Sequence, residues 1–248
     1  MKAFITKVKC WFASARRGLE ASIDFLLPSF TCVACGREVN APKHVLICDK
    51  CAEMLIMNTD FPTLRDRKEK QWFYRAYAPF RYDGVAKTMI LALKHGGRGE
   101  VAIAVAPFMI EAYRKGGGAE EPILIPVPLY KWRFRARGYN QAALVAKGIS
   151  KLSGYSVDEN VLKRIKKTVP QVEMTTKERA ANQHGAFAVE DKAAVEGKNI
   201  ILVDDVFTSG STTNECARVL MRAGAHQVEV LTIANANFIH SDKNEKEQ

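Results

Sequence analysis

The chain has no apolar run long enough to cross a membrane as a helix. Its longest such stretch, Val101 to Ile110, is short and carries Pro107. Behind the N-terminal lysines Lys2, Lys7 and Lys9 there is no continuous apolar segment, and Arg16, Arg17, Glu20 and Asp24 follow closely. That pattern does not read as a secretory signal. The expectation is a cytoplasmic protein that meets a membrane only through partners. Acidic residues are scarce: 27 Asp and Glu stand against 37 Lys and Arg, a formal charge of +10. The imbalance favours anionic partners, whether nucleic acid, phosphorylated metabolites or a membrane surface. A merely solvated basic surface is the alternative.

Cysteine is also sparse, with six in 248 residues, but four of them are ordered. Cys32-Val-Ala-Cys35 and Cys48-Asp-Lys-Cys51 are two pairs with a two-residue gap, separated by twelve residues. Each gap lets both thiolates reach one ion, and a short ribbon can turn back between the pairs. Four thiolates predict tetrahedral Zn²⁺ in a structural role, because no ligand position stays open. In an intracellular chain such pairs favour metal over disulfides. His44 is the nearby alternative ligand.

The most informative stretch is Ile200-Ile-Leu-Val-Asp-Asp-Val-Phe-Thr-Ser-Gly-Ser-Thr-Thr213. Four apolar, mostly β-branched residues predict a buried parallel strand. Asp204 and Asp205 follow, then the small-residue loop Thr208, Ser209, Gly210, Ser211 and Thr212, then a helical pattern over Glu215 to Arg222. A strand, a loop rich in N–H groups and a helix N-terminus make an anion site. No lysine follows the glycine, which excludes a Walker A loop. Carboxylates beside a phosphate cradle would repel a phosphate alone. A ligand with vicinal hydroxyls next to its phosphate, such as a ribose 5-phosphate group, satisfies both halves. The alternative is an ordinary turn with a helix cap.

Taken in order, residues 1–29 carry apolar positions at helical spacing and predict an amphipathic helix, packed on the body or lying on a membrane surface. Residues 30–58 form the four-Cys module, 59–71 a charged linker, and 241–248 a charged tail. Within 72–240, helices are predicted over Val85 to Leu93 and Glu100 to Tyr113, with Pro107 leaving the middle of the second open. Strands are predicted at Pro122 to Leu129, Val161 to Ile165, Gly185 to Val189 and Val228 to Ile233. The stretch Lys94-His95-Gly-Gly-Arg98 reads either as an anion-contacting loop or as a basic helix C-cap. The run Lys131-Trp-Arg133-Phe-Arg-Ala-Arg137 reads as a cationic loop at the carboxyl edge of a sheet. Its interleaved aromatics also suit single-stranded nucleic acid. Thr168 to Gln183 reads as a polar loop entering a helix. The alternation predicts an α/β fold with an open, mostly parallel sheet.

The Asp-Asp block resembles the PRPP-binding motif of type I phosphoribosyltransferases, where PRPP is 5-phosphoribosyl 1-pyrophosphate. With the four-Cys ribbon, Lys94-His95-x-Gly97-Arg98, Pro126-Val-Pro, Arg137-Gly-Tyr-Asn-Gln141 and Arg179-x-x-Asn182, the chain looks like a ComF-type protein, the family associated with DNA uptake in competence and with gluconate utilisation. The resemblance implies a phosphoribosyltransferase-type sheet over 72–240 with a small zinc ribbon in front. It implies that Asp204 and Asp205 meet the ribose as catalytic residues and that Thr208 to Thr212 take the 5′-phosphate. Lys131 and Arg133 would lie where the superfamily holds pyrophosphate, with Mg²⁺ accompanying PRPP. Lys94, Arg98, Arg137, Asn140, Gln141, Arg179 and Asn182 would be further site residues. The implied function is transfer of a phosphoribosyl group. Its rivals are a non-enzymatic single-stranded DNA handler working with competence proteins such as a helicase, and a PRPP- or nucleotide-sensing regulator.

Overall fold

The computed structural model describes residues 31–39, 46–58, 71–166, 178 and 182–236. The expected helix over 1–29, His44, nearly all of the 59–71 linker, most of the 168–183 loop with Arg179, and the 241–248 tail lie outside the described residues.

In chain order the elements are α1 (Asp49–Glu53), β1 (Ala76–Tyr77), β2 (Phe80–Arg81), α2 (Gly84–His95), α3 (Glu100–Lys115), β3 (Ile123–Pro126), α4 (Lys131–Arg137), α5 (Gln141–Ser153), β4 (Leu162–Arg164), β5 (Phe187–Val189), β6 (Asn199–Phe207), α6 (Ser211–Arg222) and β7 (Gln227–Asn235). The main sheet is wholly parallel. β6 lies between β3 and β7, and β1 and β2 pair in succession along the far side of β7. β4 and β5 form a separate antiparallel hairpin. The expected open parallel α/β sheet is what the chain builds.

Why β6 is central is written in its residues. Ile200 and Leu202 point into one apolar layer with Ile125, Val230, Ala217 and Leu220. Ile201 and Val203 point into the other with Leu124, Met109, Val145 and Ile149. A strand apolar on both faces can be satisfied only between two helical layers. α2, α3 and α5 supply one layer and α6 the other. The α3–α5 crossing is tight at Gly148, where a Cβ would stand 2.7 Å from the Ala102 carbonyl oxygen.

One open point is resolved and one expectation differs from the structure. α3 runs through Pro107 without a break. The carbonyl that loses a partner there belongs to Ile103, which is 39% exposed and so sits on the wet side of the helix. The basic run is helix α4, closed by Gly138 in the left-handed conformation, and not a loop. Arg, Lys and Ala are good helix formers, and α4 buries none of its residues, so no apolar stripe announces it in the sequence.

The cysteine module is fused to the body. Cys32, Val33, Ile47, Cys51 and Leu55 share a core cluster with α2 and α3. Met57 bridges Phe80 antiparallel, and Asn58 donates from its backbone to Pro79 and from its side chain to Ala78. The module thereby covers the edge that β2 would otherwise leave open.

Candidate functional site

At the carboxyl ends of β3 and β6 the chain encloses a cavity of about 940 Å³. Lys94, Arg133, Arg164, Asp204, Asp205 and Thr212 are among the charged and polar residues that line it, and Val127, Pro128 and Leu129 among the apolar ones. Open α/β sheets bind ligands at this edge because strand ends, connecting loops and helix N-termini converge there.

The two acids occupy different situations. Asp205 is 5% exposed, and both of its oxygens are held by protein. Lys94 Nζ lies 2.8 Å from Oδ1, and Gln141 Nε2 donates to Oδ2 at 2.8 Å. Asp204 accepts the Asp205 N–H on Oδ1 at 2.8 Å and lines the cavity. Burial and the adjacent Asp205 carboxylate push Asp204 up to about 7, against the pull of the Asp205 N–H, Lys94 and Arg164. Near neutrality it can therefore either accept hydrogen bonds or take a proton.

The Arg137-Gly-Tyr-Asn-Gln141 block builds the wall behind these acids. Arg137 Nη1 donates to Gln141 Oε1 at 2.7 Å, which turns the Gln141 amide nitrogen toward Asp205. Tyr139 Oη donates to the Leu93 carbonyl at 2.5 Å, tying α5 to the end of α2. Asn140 caps α5 by accepting the Ala142 N–H at 3.1 Å and donates to the Val127 carbonyl at 3.1 Å. Each side chain of the block thus has an internal partner that sets the geometry of β3, α2 and Asp205.

The small-residue loop is shaped by its glycine. Gly210 has φ +72°, and a Cβ there would stand 2.6 Å from Phe207 Cζ. α6 begins directly after it with no side-chain cap on its first turn. Ser209 Oγ and Ser211 Oγ lie 2.8 Å apart, Thr208 is exposed, and Thr212 faces the cavity. One turn further along, Glu215 holds the β4–β5 hairpin. It accepts the Gly185 N–H at 2.7 Å and two bonds from Arg218 at 2.7 and 2.6 Å.

That hairpin contributes Arg164 to the cavity. Its guanidinium stacks 5.2 Å from the Phe187 ring centroid and reaches Gln183 Oε1 at 3.4 Å. Burial and the nearby Arg133 charge lower its pKa, so the two guanidinium groups sit in each other's field across the cavity.

Among the residues expected at the site, Lys94, Arg133, Arg137, Gln141, Asp204, Asp205 and Thr212 line one cavity. Lys131 begins α4 and is exposed outside that lining. Arg98 points away and donates to Thr31 Oγ1 at 3.1 Å. Asn182 is helical and precedes the His184–Gly185 turn into β5, outside the lining. Arg164 lines the cavity without having been expected there, and His95 and Trp132, from the expected anion-contacting and cationic stretches, line it too. The signal for Arg164 was its basic neighbourhood in a strand, which does not reveal that the strand folds over the sheet edge.

The four sulfurs of Cys32, Cys35, Cys48 and Cys51 lie within 4.8 Å of one another. A zinc tetrahedron with bonds of about 2.3 Å has edges of about 3.8 Å, and Cys35 Sγ to Cys48 Sγ is 3.8 Å. That separation is far beyond a disulfide bond. Backbone N–H groups of Cys48 and Cys51 point at Cys32 Sγ and Cys48 Sγ, at 3.4 and 3.5 Å. The donor set fits a structural Zn²⁺.

The chain matches the phosphoribosyl transferase domain family over residues 137–247. It is 29% identical over 203 residues to the DNA utilization protein YhgH of Salmonella typhimurium, spanning 80% of this chain and 87% of that protein. It is 38% identical over 114 residues to competence protein F of Haemophilus influenzae, spanning 46% of this chain and half of that protein. It is 26% identical over 200 residues to competence protein ComFC of Bacillus subtilis, spanning 78% and 72%.

Proposed function

The chain is homologous to the ComF proteins and carries a phosphoribosyl transferase domain, and on that premise we propose that its cavity binds PRPP with Mg²⁺ and transfers the phosphoribosyl group to an acceptor. The observation that carries this reading is the division of labour at the end of β6. Asp205 is occupied by Lys94 and Gln141, while Asp204 lines the cavity beside Thr212 on the first turn of α6.

Asp204 accepts hydrogen bonds from the ribose hydroxyls, and Thr208 to Thr212 with the first-turn N–H groups of α6 hold the 5′-phosphate. Lys94 and Gln141 keep Asp205 in place behind Asp204. The diphosphate end faces Arg133 and Arg164. An acceptor forms a bond to C1 of the ribose as the C1–O bond to diphosphate breaks. The electron pair leaves with the diphosphate, whose growing charge the two guanidinium groups stabilise. Asp204, poised near neutral pH, is placed to take a proton from the acceptor. Mg²⁺ favours oxygen ligands, which Asp204 and the diphosphate offer, and when bound it neutralises charge on the diphosphate. Among the described residues no helix is long and apolar enough to cross a membrane. The test is pyrophosphate release from PRPP and Mg²⁺ across a panel of purine, pyrimidine and amine acceptors. Release with one acceptor supports transfer. Tight binding with no release from any of them would remove the transfer step and leave a PRPP sensor.

A second reading rests on α4. Trp132 and Phe134 are 50% and 49% exposed among Lys131, Arg133, Arg135 and Arg137. Exposed rings between cations suit stacking and phosphate contact with single-stranded DNA. In that reading the chain handles DNA, alone or beside competence proteins such as a helicase.

A further inference from the structure

The short segment from Lys94 to Arg98 runs from the cavity wall to the cysteine module, which also packs against α2 and α3. At one end Lys94 forms its 2.8 Å ion pair with Asp205 in the cavity wall. At the other, Arg98 Nη2 donates to Thr31 Oγ1 at 3.1 Å, on the cysteine module. Thr31 is fixed there by its antiparallel bridge to Glu38, and the next residue, Cys32, both donates its N–H to the Arg37 carbonyl at 2.7 Å and supplies one of the four clustered sulfurs. Lys94 and His95 close the last turn of α2, and between that turn and Arg98 lie only Gly96, whose N–H returns to the Ala92 carbonyl at 2.8 Å, and Gly97 at φ +63°.

We propose that Arg98 is a positioning residue that couples metal occupancy of the four-cysteine cluster to ligand affinity at the Asp204–Asp205 cavity. This rests on the reading of that cavity as a PRPP site. With the metal in place the ribbon holds the Thr31 hydroxyl, Thr31 holds Arg98, and the segment keeps Lys94 on Asp205. Without the metal the ribbon loses its organising centre. Arg98 then loses a fixed acceptor, and the glycine-containing segment samples more conformations. The ligand must then pay the ordering of Lys94 and Asp205 as it binds, so its affinity falls without any ligand contact being removed.

The experiment uses the full chain as wild type, Arg98→Ala, Arg98→Lys and Thr31→Val, each zinc-loaded and after stripping with a zinc-selective chelator. Zinc content, PRPP–Mg²⁺ affinity by calorimetry and amide hydrogen exchange over 92–99 are measured on each. Stripping is expected to weaken wild-type affinity about fivefold or more and to speed exchange over 92–99. Zinc-loaded Arg98→Ala and Thr31→Val should show the same loss with the metal still bound, and no further loss on stripping. Arg98→Lys, which keeps a donor for Thr31, should recover part of the coupling. A residue that merely stabilises the fold would not abolish the metal dependence. Metal dependence that persists undiminished in Arg98→Ala overturns the proposal, as does wild-type exchange over 92–99 in zinc-loaded Arg98→Ala. If no form binds PRPP, the cavity reading fails, and the exchange data still decide the coupling.

Discussion

Lys94 Nζ stands 2.8 Å from Asp205 Oδ1 and, with Gln141 on the other oxygen, holds Asp205 in the cavity wall beside Asp204. The Lys94 side chain is 24% exposed and that of Asp205 8%, so the pair is mostly shielded. Replacing Asp205 by Asn leaves a shielded ammonium without its counter-charge. The expected cost is about 2 kcal/mol, below the roughly 3–5 kcal/mol of a fully buried pair because water still reaches Lys94. Urea denaturation at pH 7 measures it. A loss within about 0.5 kcal/mol would show that the pair holds nothing.

Asp204 should behave in the opposite sense. Its carboxyl is raised from 3.8 to about 7, so between those values the folded chain binds more protons than the unfolded one. Its contribution to stability is therefore present at acid pH and lost as pH rises through about 7. Asp204→Asn removes the half-buried charge while an amide oxygen can still accept the Asp205 N–H. The variant is expected to be more stable than wild type at pH 8 by about 2 kcal/mol, discounted for an open cavity, and to lose the difference toward pH 4. Thermal unfolding across pH 4 to 8 checks the sign. A destabilised variant at pH 8 would contradict the assignment.

Glu215 has the reverse linkage. Burial alone would raise its pKa, but Arg218, the Gly185 N–H and His184 bring it below its ordinary value. Its stabilisation is complete above the unfolded value near 4.5 and lost as pH falls through the lower folded value. Glu215→Gln should cost about 2–3 kcal/mol at pH 7 and loosen the β4–β5 hairpin that carries Arg164. Hydrogen exchange at Gly185 and Phe187 should rise well before exchange in β6. Equal rises in both would mean that Glu215 stabilises the whole fold and not the hairpin.

What could be read from residues alone follows the range of the interactions involved. The β6–α6 unit was legible because its signals are local: four apolar residues, two acids, a glycine loop and a helical pattern. The cysteine cluster was legible because its spacing is the chemistry. α4 was not, since a solvent-facing basic helix has no apolar period to betray it. Arg98 was expected at the cavity because it follows Lys94 so closely, yet the turn between them sends the two side chains to opposite anchors. Arg164 depended on an antiparallel hairpin closing between residues 162 and 189, a pairing that no local pattern specifies. The Arg137-to-Gln141 block was recognisable as a motif, but its work is hydrogen bonding to Leu93, Val127 and Asp205, which only the folded chain brings near.

The exposed face of α4 makes a separate, salt-dependent prediction. If single-stranded DNA binds there, changing Arg133, Arg135 and Arg137 together to Ala should weaken binding. It should also reduce the slope of log affinity against log salt by about 2, near 0.7 for each lost phosphate contact. Trp132→Ala should weaken binding with little change in slope, since stacking releases no counterions. Fluorescence anisotropy with a labelled oligonucleotide at several salt concentrations reads both. An unchanged slope in the triple variant would place any DNA contact elsewhere.

The most direct measurement is calorimetric titration of PRPP with Mg²⁺ into wild type and Asp204→Asn, both checked for retained folding. Saturable one-to-one binding to wild type is expected, with at least a tenfold loss in the variant, the scale of one charge-assisted hydrogen-bond partner in a shielded site. No detectable binding to wild type, or equal affinity in the two proteins, would contradict the PRPP reading of the cavity.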